Sequence, residues 1–498
     1  MQTSFNQKCL FACLVVFVNL SGWVETNIST KIPELELIKD SAKLFDEIKK
    51  IEDDNSVVFS RNRPFIGLIQ HNIQHILNQL LKELKFGNLR EEYWQQLFEN
   101  TPKSITAEEN LIIANAIPLL PSSIIHHCRF SLSKWINEKL VDACKDNQTI
   151  FFKVWDFLIT TLNGIGPDAT ESALGESKLE GKIIKQSRNT HIYALNSPIG
   201  NLVSSIFSAC SSWNLDSSDC SKTLFPRLET SLNSKGEGAS HAAVMIALEL
   251  NFILFHDKNW VKLNLIPLLE PDNLLSESTW QGVMQAKVYK EVIPIIKPHL
   301  INCLTIKPEW IWDEKLKKNL AAYVIIVGYF SYGKKKYYSD LELRKLIRCF
   351  DSDMLSHALW TFNKILAKDN NWTAFGRHFF INIWPKEIEF QNTNTSERLL
   401  NLILESPNNF DDVLKFTLPF LSKVESNSLF LFRLKKASHS KLLEQYPDEV
   451  LQLLDKVIGS RIEHYDRYLK EILYELNKIK PIIKNHPSWR RLIEIAEH

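Results

Sequence analysis

Apolar residues recur along this chain at spacings of three and four. Val450, Leu453, Leu454, Val457 and Ile458 share one face of a helix, and Tyr465, Tyr468, Leu469, Ile472, Leu473 and Leu476 share one face of the next. Start signals accompany the pattern. Thr106 with Glu109, Ser278 with Gln281 and Ser339 with Glu342 each fit a capping box, in which the hydroxyl and the later side chain satisfy orphan N–H groups. Asn408 reads as an N-cap before Phe410, Val413, Leu414, Leu418 and Leu421, and Pro419 is expected to kink or shorten that helix. The pattern implies helices of about 12–18 residues joined by short loops, which favours antiparallel neighbours. The expected fold is all-α: an irregular α-solenoid of HEAT-like stacked helical pairs, each of roughly 40 residues, in two halves. No strict repeat consensus is visible, and a single large helical bundle is the structural alternative.

Three stretches break the helical pattern. Residues 163–192 are polar and comparatively rich in Gly, and read as a long loop or insertion. Residues 329–340 place Lys334, Lys335 and Lys336 between aromatic residues, a solvated loop by its composition and a phosphate contact only in the less favoured reading. Near the start, Lys8 precedes an apolar run from Leu10 to Val18, too short to span a bilayer and lacking a small-residue cleavage site after it. It reads as a buried helix, with a signal peptide of an exported helical protein as the alternative. The expected layout is therefore an apolar N-terminal segment (1–40), a helical array (41–162), the polar insertion (163–192) and a helical C-terminal domain (193–498).

Composition agrees with an all-α reading. Only 15 of 498 residues are Gly, whereas hairpins and phosphate loops depend on it. The charge is balanced, 59 basic residues against 58 acidic, so the basic excess expected of a nucleic-acid binder is missing. The eight cysteines are scattered without a CxxC pair, neither a disulfide framework nor a zinc ligand set. Scattered free thiols suit a reducing cytoplasm.

Chemistry-bearing patterns are weak. No nucleophile elbow, P-loop, zincin helix or dinucleotide fingerprint occurs. Pro167-Asp168 followed by Glu176, Lys178, Glu180 and Lys182 resembles the arrangement of metal-dependent nucleases, in which two carboxylates on adjacent strands hold a cation and a lysine polarises water. The polar, small flanking residues favour a solvated loop instead. His126, His127 and Cys128, with Cys144 further on, are soft ligands, but adjacent helical residues point about 100° apart and cannot all reach one metal. Gly236-Glu237-Gly238 before a helix would suit an anion or, more simply, a turn. Arg377 and His378 stand before Trp384-Pro385 with no partner nucleophile in sight. No catalytic residue, metal ligand or cofactor follows from these patterns.

Several spaced segments carry a resemblance. They are ALNSPIG at 194–200, HAAVMIALELNFILFHDKNWVKLNLIPLL at 241–269, the helix from Trp280, HFFINIWPKE at 378–387, and the closing YPDEVLQLLDKVI and HPSWRRLIEIA. Together they resemble the helical C-terminal region of bacterial sirtuin-like antiphage defence proteins, a domain of unknown function. The resemblance covers residues 190–498 well and 40–160 loosely. It implies a non-catalytic scaffold that senses a phage component or restrains an effector domain, with any enzymatic activity in a separate domain. Protein is the expected partner, with no nucleic acid, membrane or cofactor. The residues most suited to touch that partner are Trp280, Arg377, His378 and Trp384, although aromatic residues in apolar helices, including Trp260 and Trp360, equally serve to lock helices together.

Overall fold

A computed structural model describes residues 32–53, 63–175, 178–179, 182–183, 187–287, 289–306, 314–333, 337–369, 371–424, 428–459 and 466–497. The apolar run Leu10–Val18, the residues Glu176 and Glu180, Lys334 to Lys336 and Tyr465 lie outside the described residues.

The fold is all-α. The one strand pairing among the described residues is a two-residue antiparallel ladder, Lys178–Leu179 with Lys182–Ile183, apart from an isolated bridge between Val424 and Ile458. The chain divides into two compact units. One comprises the residues up to Leu268 with Leu274–Val283, and the other comprises Leu269–Asn273 with Met284 onward. Residues 163–192 fall within the first unit and do not separate the two.

The helical faces explain the cores. In Pro447–Val457, Val450, Leu453, Leu454 and Val457 are fully buried. In Asp466–Ile479, Leu469, Ile472, Leu473 and Leu476 are fully buried. Thr106 and Ser339 close complete capping boxes on Ala107–Ala116 and Asp340–Ile347. Ser278 and Gln281 do not: both lie inside the helix Ser276–Val283 and are buried. Asn408 sits within a 3₁₀ turn, Pro407–Asn409, so Asn409 takes the cap position of Phe410–Thr417, and that helix stops two residues short of Pro419.

At the centre of the first unit is the helix Gly238–Leu248, buried from His241 to Ala247 without interruption. Its sequence, GASHAAVMIAL, has no charged side chain, and a helix apolar on all sides finds its minimum only when surrounded. It packs on Pro198–Ser212 and Ser276–Val283. Small residues set that approach: a Cβ on Gly282 would lie 2.3 Å from the Val244 carbonyl oxygen and 2.7 Å from Ala247 Cβ. Among the described residues no single helix is long and apolar enough to cross a membrane. Gly238–Leu248 and Leu250–His256 pass that test only as a pair, bent by 70°.

Many side-chain hydrogen bonds between elements span 32 to 40 residues, although others are as short as 16 or as long as 45. In the second unit Lys317 pairs with Asp351 (34 residues on), Arg344 with the Asn382 carbonyl (38), Ser352 with Asn392 (40), Trp372 with Asp412 (40), Asn401 with Arg433 (32), Asp448 with Lys480 (32) and Asp455 with Arg491 (36). Each of these bonds joins elements whose paired residues stand 32 to 40 positions apart in the chain.

The first unit begins in the same way, with separations of 35 (Glu36–His71), 42 (Ser41–Glu83), 37 (Glu91–Cys128) and 37 (Pro102–Lys139). Four pairs straddling the polar segment stand at 71 (Asn137–Ser208), 72 (Val141–Trp213), 71 (Asp156–Arg227) and 72 (Asn163–Lys235), while Trp155 reaches the Leu202 carbonyl across it at 47. Beyond it they fall back to 39 (Ser217–His256) and 31 (Glu229–Trp260). The excess of 71 over 37 is about 34 residues, close to the length of the polar segment with the short helix His191–Leu195.

Candidate functional site

The polar segment is not a solvated loop throughout. Ala169 and Thr170 are fully buried, and Thr170 Oγ1 donates to the carbonyls of Pro167 (2.8 Å) and Lys235 (2.6 Å). Ser172 Oγ donates to the carbonyls of Tyr193 (2.9 Å) and Asn196 (3.2 Å). These bonds bring the segment against the turn Gly236-Glu237-Gly238, which enters the central helix. Gly236 holds a φ of +56°, and a Cβ there would meet Pro167 at 2.9 Å, so both conformation and space require glycine.

Glu237 is the focus of the site. Arg188 engages it with two nitrogens, Nη2 at 3.0 Å from Oε2 and Nε on Oε1, while its Nη1 donates to the Leu174 carbonyl at 2.9 Å. The Ser172 N–H reaches Glu237 Oε2 at 3.2 Å. Burial alone would raise the Glu237 carboxyl, but the Arg188 guanidinium and the Ser172 N–H outweigh it and hold the group below the usual carboxylate range. The start of this helix, whose glycines would suit an outside anion, is thus supplied with the chain's own carboxylate.

One turn on, His241 is fully buried. Its Nε2 lies 3.2 Å from the Arg188 carbonyl oxygen and 3.8 Å from Glu237 Oε2. Burial pushes the imidazole below its ordinary value, against the pull of the Glu237 charge. A neutral His241 with its proton on Nε2 donates to the Arg188 carbonyl. Asn189 extends the cluster to the helix Ser276–Val283 through Glu277 at 2.9 Å. Chemically, the arrangement fixes a segment to a core helix by charge-assisted hydrogen bonds. Arg188 and His241 carried no pattern by which sequence reasoning finds them, because their partners are about 50 residues away or at the backbone.

The four residues expected at a partner surface divide in two. Trp280 is 0% exposed and Trp384 1%, and buried rings offer no surface to a partner in this fold. Trp384 packs at 5.8 Å from Phe379 and 6.3 Å from Phe380, within an aromatic cluster that also holds Phe362, Phe375 and Trp372. Arg377 and His378 are partly exposed. Asp412 accepts both from Arg377 Nε and from Trp372 Nε1, each at 2.6 Å. His378 Nε2 lies 3.1 Å from Asp340 Oδ1, and its Nδ1 lies 3.1 Å from Asn382 Nδ2. The Asn382 amide donates to Nδ1, which leaves the proton on Nε2 for Asp340. Of the other tryptophans considered, Trp260 is buried and donates to Glu229 at 2.7 Å, while Trp360 is 43% exposed and stacks on His357.

Of the nuclease-like residues, those described are Asp168, Lys178 and Lys182. Asp168 stands exposed in a 3₁₀ turn, Pro167–Ala169, and Lys178 and Lys182 lie on the short ladder. Cys128 and Cys144 are both buried. Burial pushes the Cys128 thiol up to about 12 and the Cys144 thiol up to about 11. Among the described residues no group of three His, Cys, Asp or Glu is placed to hold a metal. Sequence reasoning missed the approach of Cys210 to Cys220, whose sulfurs lie 3.6 Å apart.

No family model, no curated protein and no solved structure matches the chain.

Proposed function

We propose that the chain is a non-catalytic, solenoid-like helical scaffold that binds a protein partner, as a recognition or regulatory module of a bacterial antiviral system in the cytoplasm. The observation that carries the scaffold reading is the recurrent separation of about 31–42 residues between hydrogen-bonded side chains. Layers repeated at that interval build a continuous surface, and chains made this way use it to bind other proteins. Large apolar side chains remain exposed in each unit, among them Phe255 at 80% and Ile388 at 82%. The polar clusters suit a scaffold too, since Arg188, Glu237, Arg377 and Asp412 are spent on joining one segment to another.

The antiviral context rests on the resemblance of residues 194–200, 241–269 and 378–387 to the sirtuin-like defence proteins. The partner is a phage component or an effector domain, and its binding shifts that effector between inactive and active states. Neither nucleic acid nor membrane is invoked. The test is to assay the purified full chain for NAD consumption and for Mg²⁺-dependent DNA and RNA cleavage. The expected result is no turnover of either; turnover that scales with protein and disappears in a single-residue variant such as Asp168→Ala would overturn the non-catalytic reading.

A further inference from the structure

We propose that Cys210 and Cys220 form a reversible disulfide, a redox clamp over the exposed stretch 214–219. Cys210 lies in the helix Pro198–Ser212 and Cys220 opens the short helical turn Cys220–Leu224. Both are reduced and buried, and the Cys220 thiol points at the Cys210 sulfur, 3.6 Å away. Bond formation needs the sulfurs to close from 3.6 Å to about 2 Å. The Cys128 and Cys349 sulfurs, by comparison, lie near the backbone carbonyls of Glu91 and Lys345.

The stretch between them has the build of a small hinge. Trp213 anchors its start, buried and donating to the Val141 carbonyl at 2.9 Å. Asn214 then adopts a φ of +52°, a conformation that costs a side-chain-bearing residue energy. Asn214, Asp216, Ser218 and Asp219 are exposed; Ser217 Oγ lies 3.0 Å from His256 Nδ1, its carbonyl accepts from the Cys220 N–H, and Asp216 Oδ1 accepts from the Asp219 N–H. Burial raises both thiols, so neither reacts readily in the closed state. Local opening of 214–219 uncovers Cys220 first, since it is the first buried residue after the exposed stretch.

The oxidant is a low-molecular-weight disulfide. The Cys220 thiolate attacks one sulfur of that disulfide, forming a mixed disulfide and releasing one small thiolate. On reclosure the Cys210 thiolate attacks Cys220 Sγ, forming the Cys210–Cys220 bond and releasing the second small thiolate. The two protons of the protein thiols end on the two released thiols, and the two electrons lost by the protein reduce the reagent. The covalent ring then holds the stretch against the helix that carries part of the family resemblance.

The experiment incubates the reduced full chain with oxidised glutathione under native conditions, blocks remaining thiols, and maps peptides without reduction. The expected product is a Cys210–Cys220 linked peptide lighter by two hydrogens, abolished by dithiothreitol. Native-state trypsin cleavage at the exposed Lys222 is expected to slow by about tenfold or more on oxidation. Cys220→Ser and, as a second variant should that one misfold, Cys210→Ala are each expected to show no oxidation-dependent change. Recovery of both cysteines blocked, as separate glutathione adducts, or linked to other cysteines would overturn the proposal.

Discussion

Gly282→Ala is expected to destabilise the first unit, although alanine is the better helix former. The added Cβ would stand 2.3 Å from the Val244 carbonyl oxygen, 2.7 Å from Ala247 Cβ and 2.9 Å from the Leu248 nitrogen. Two of these are backbone atoms of the central helix, so no side chain can rotate aside. Moving the Val244 contact out to 3.0 Å requires the two helices to part by roughly 0.7 Å. Both are buried, and Trp280 in the same helix has no exposed surface, so parting them loosens contacts along their length. Overpacking of this kind costs about 3 kcal/mol, from which up to about 1 kcal/mol of helix propensity is regained. The net expectation is a loss of about 2 kcal/mol, read as a lower midpoint in urea denaturation followed by far-UV circular dichroism. Gly164→Ala is the control. It lies in the helix Gln148–Ile165 of the same unit with nothing within 4 Å of its Cβ, and should be neutral or stabilising by up to about 1 kcal/mol. A Gly282→Ala protein as stable as the wild type would refute the reasoning about helix approach.

Other expectations address the polar cluster and the aromatic core. The His241 imidazole is depressed by burial, so the unfolded chain binds its proton near the ordinary value of 6.5 while the folded chain does not. The stability it confers is complete above that pH and is lost as pH falls below it, by at most about 1.4 kcal/mol per pH unit; His241→Gln should flatten this slope in pH-dependent urea titrations. Glu237 acts in a lower window. Its contribution is complete above the ordinary 4.5 and is lost as pH falls through its depressed folded value. A double-mutant cycle of Arg188→Ala and Glu237→Gln is expected to give a coupling of about 1–3 kcal/mol, since the pair is bidentate and mostly covered; a coupling near zero would make it a surface ion pair. Trp384→Ala should cost about 3–5 kcal/mol in the second unit, whereas a partner-binding tryptophan would leave thermal melting unchanged.

What was legible in the sequence was local. Thr106–Glu109 and Ser339–Glu342 close their capping boxes because each hydroxyl precedes the first helical turn; Ser278 matches the same spacing but sits inside a helix that starts earlier. The faces of Pro447–Val457 and Asp466–Ile479 follow the apolar spacing because each helix buries one side. The recurrent separation of 32 to 40 residues was not legible as a consensus, because different residue types make each bond: Lys317–Asp351, Ser352–Asn392, Asp448–Lys480. The polar segment looks like a solvated loop because Thr170 and Ser172 are small and polar, yet both are buried and spend their hydroxyls on backbone carbonyls. Trp280 and Trp384 offered no means of telling anchor from core, since a large aromatic in an apolar helix suits either, and only packing on all sides decides it.

The claim that this chain is a protein-binding scaffold is tested most directly by site-specific photocrosslinking in living cells. A photoreactive amino acid would replace Phe255 in the first unit or Ile388 in the second, both largely exposed, and adducts would be compared before and during phage infection. The account predicts a discrete adduct with one protein, phage-encoded or effector, whose yield changes on infection. Adducts confined to the chain itself, or none in either condition at both positions, would contradict it.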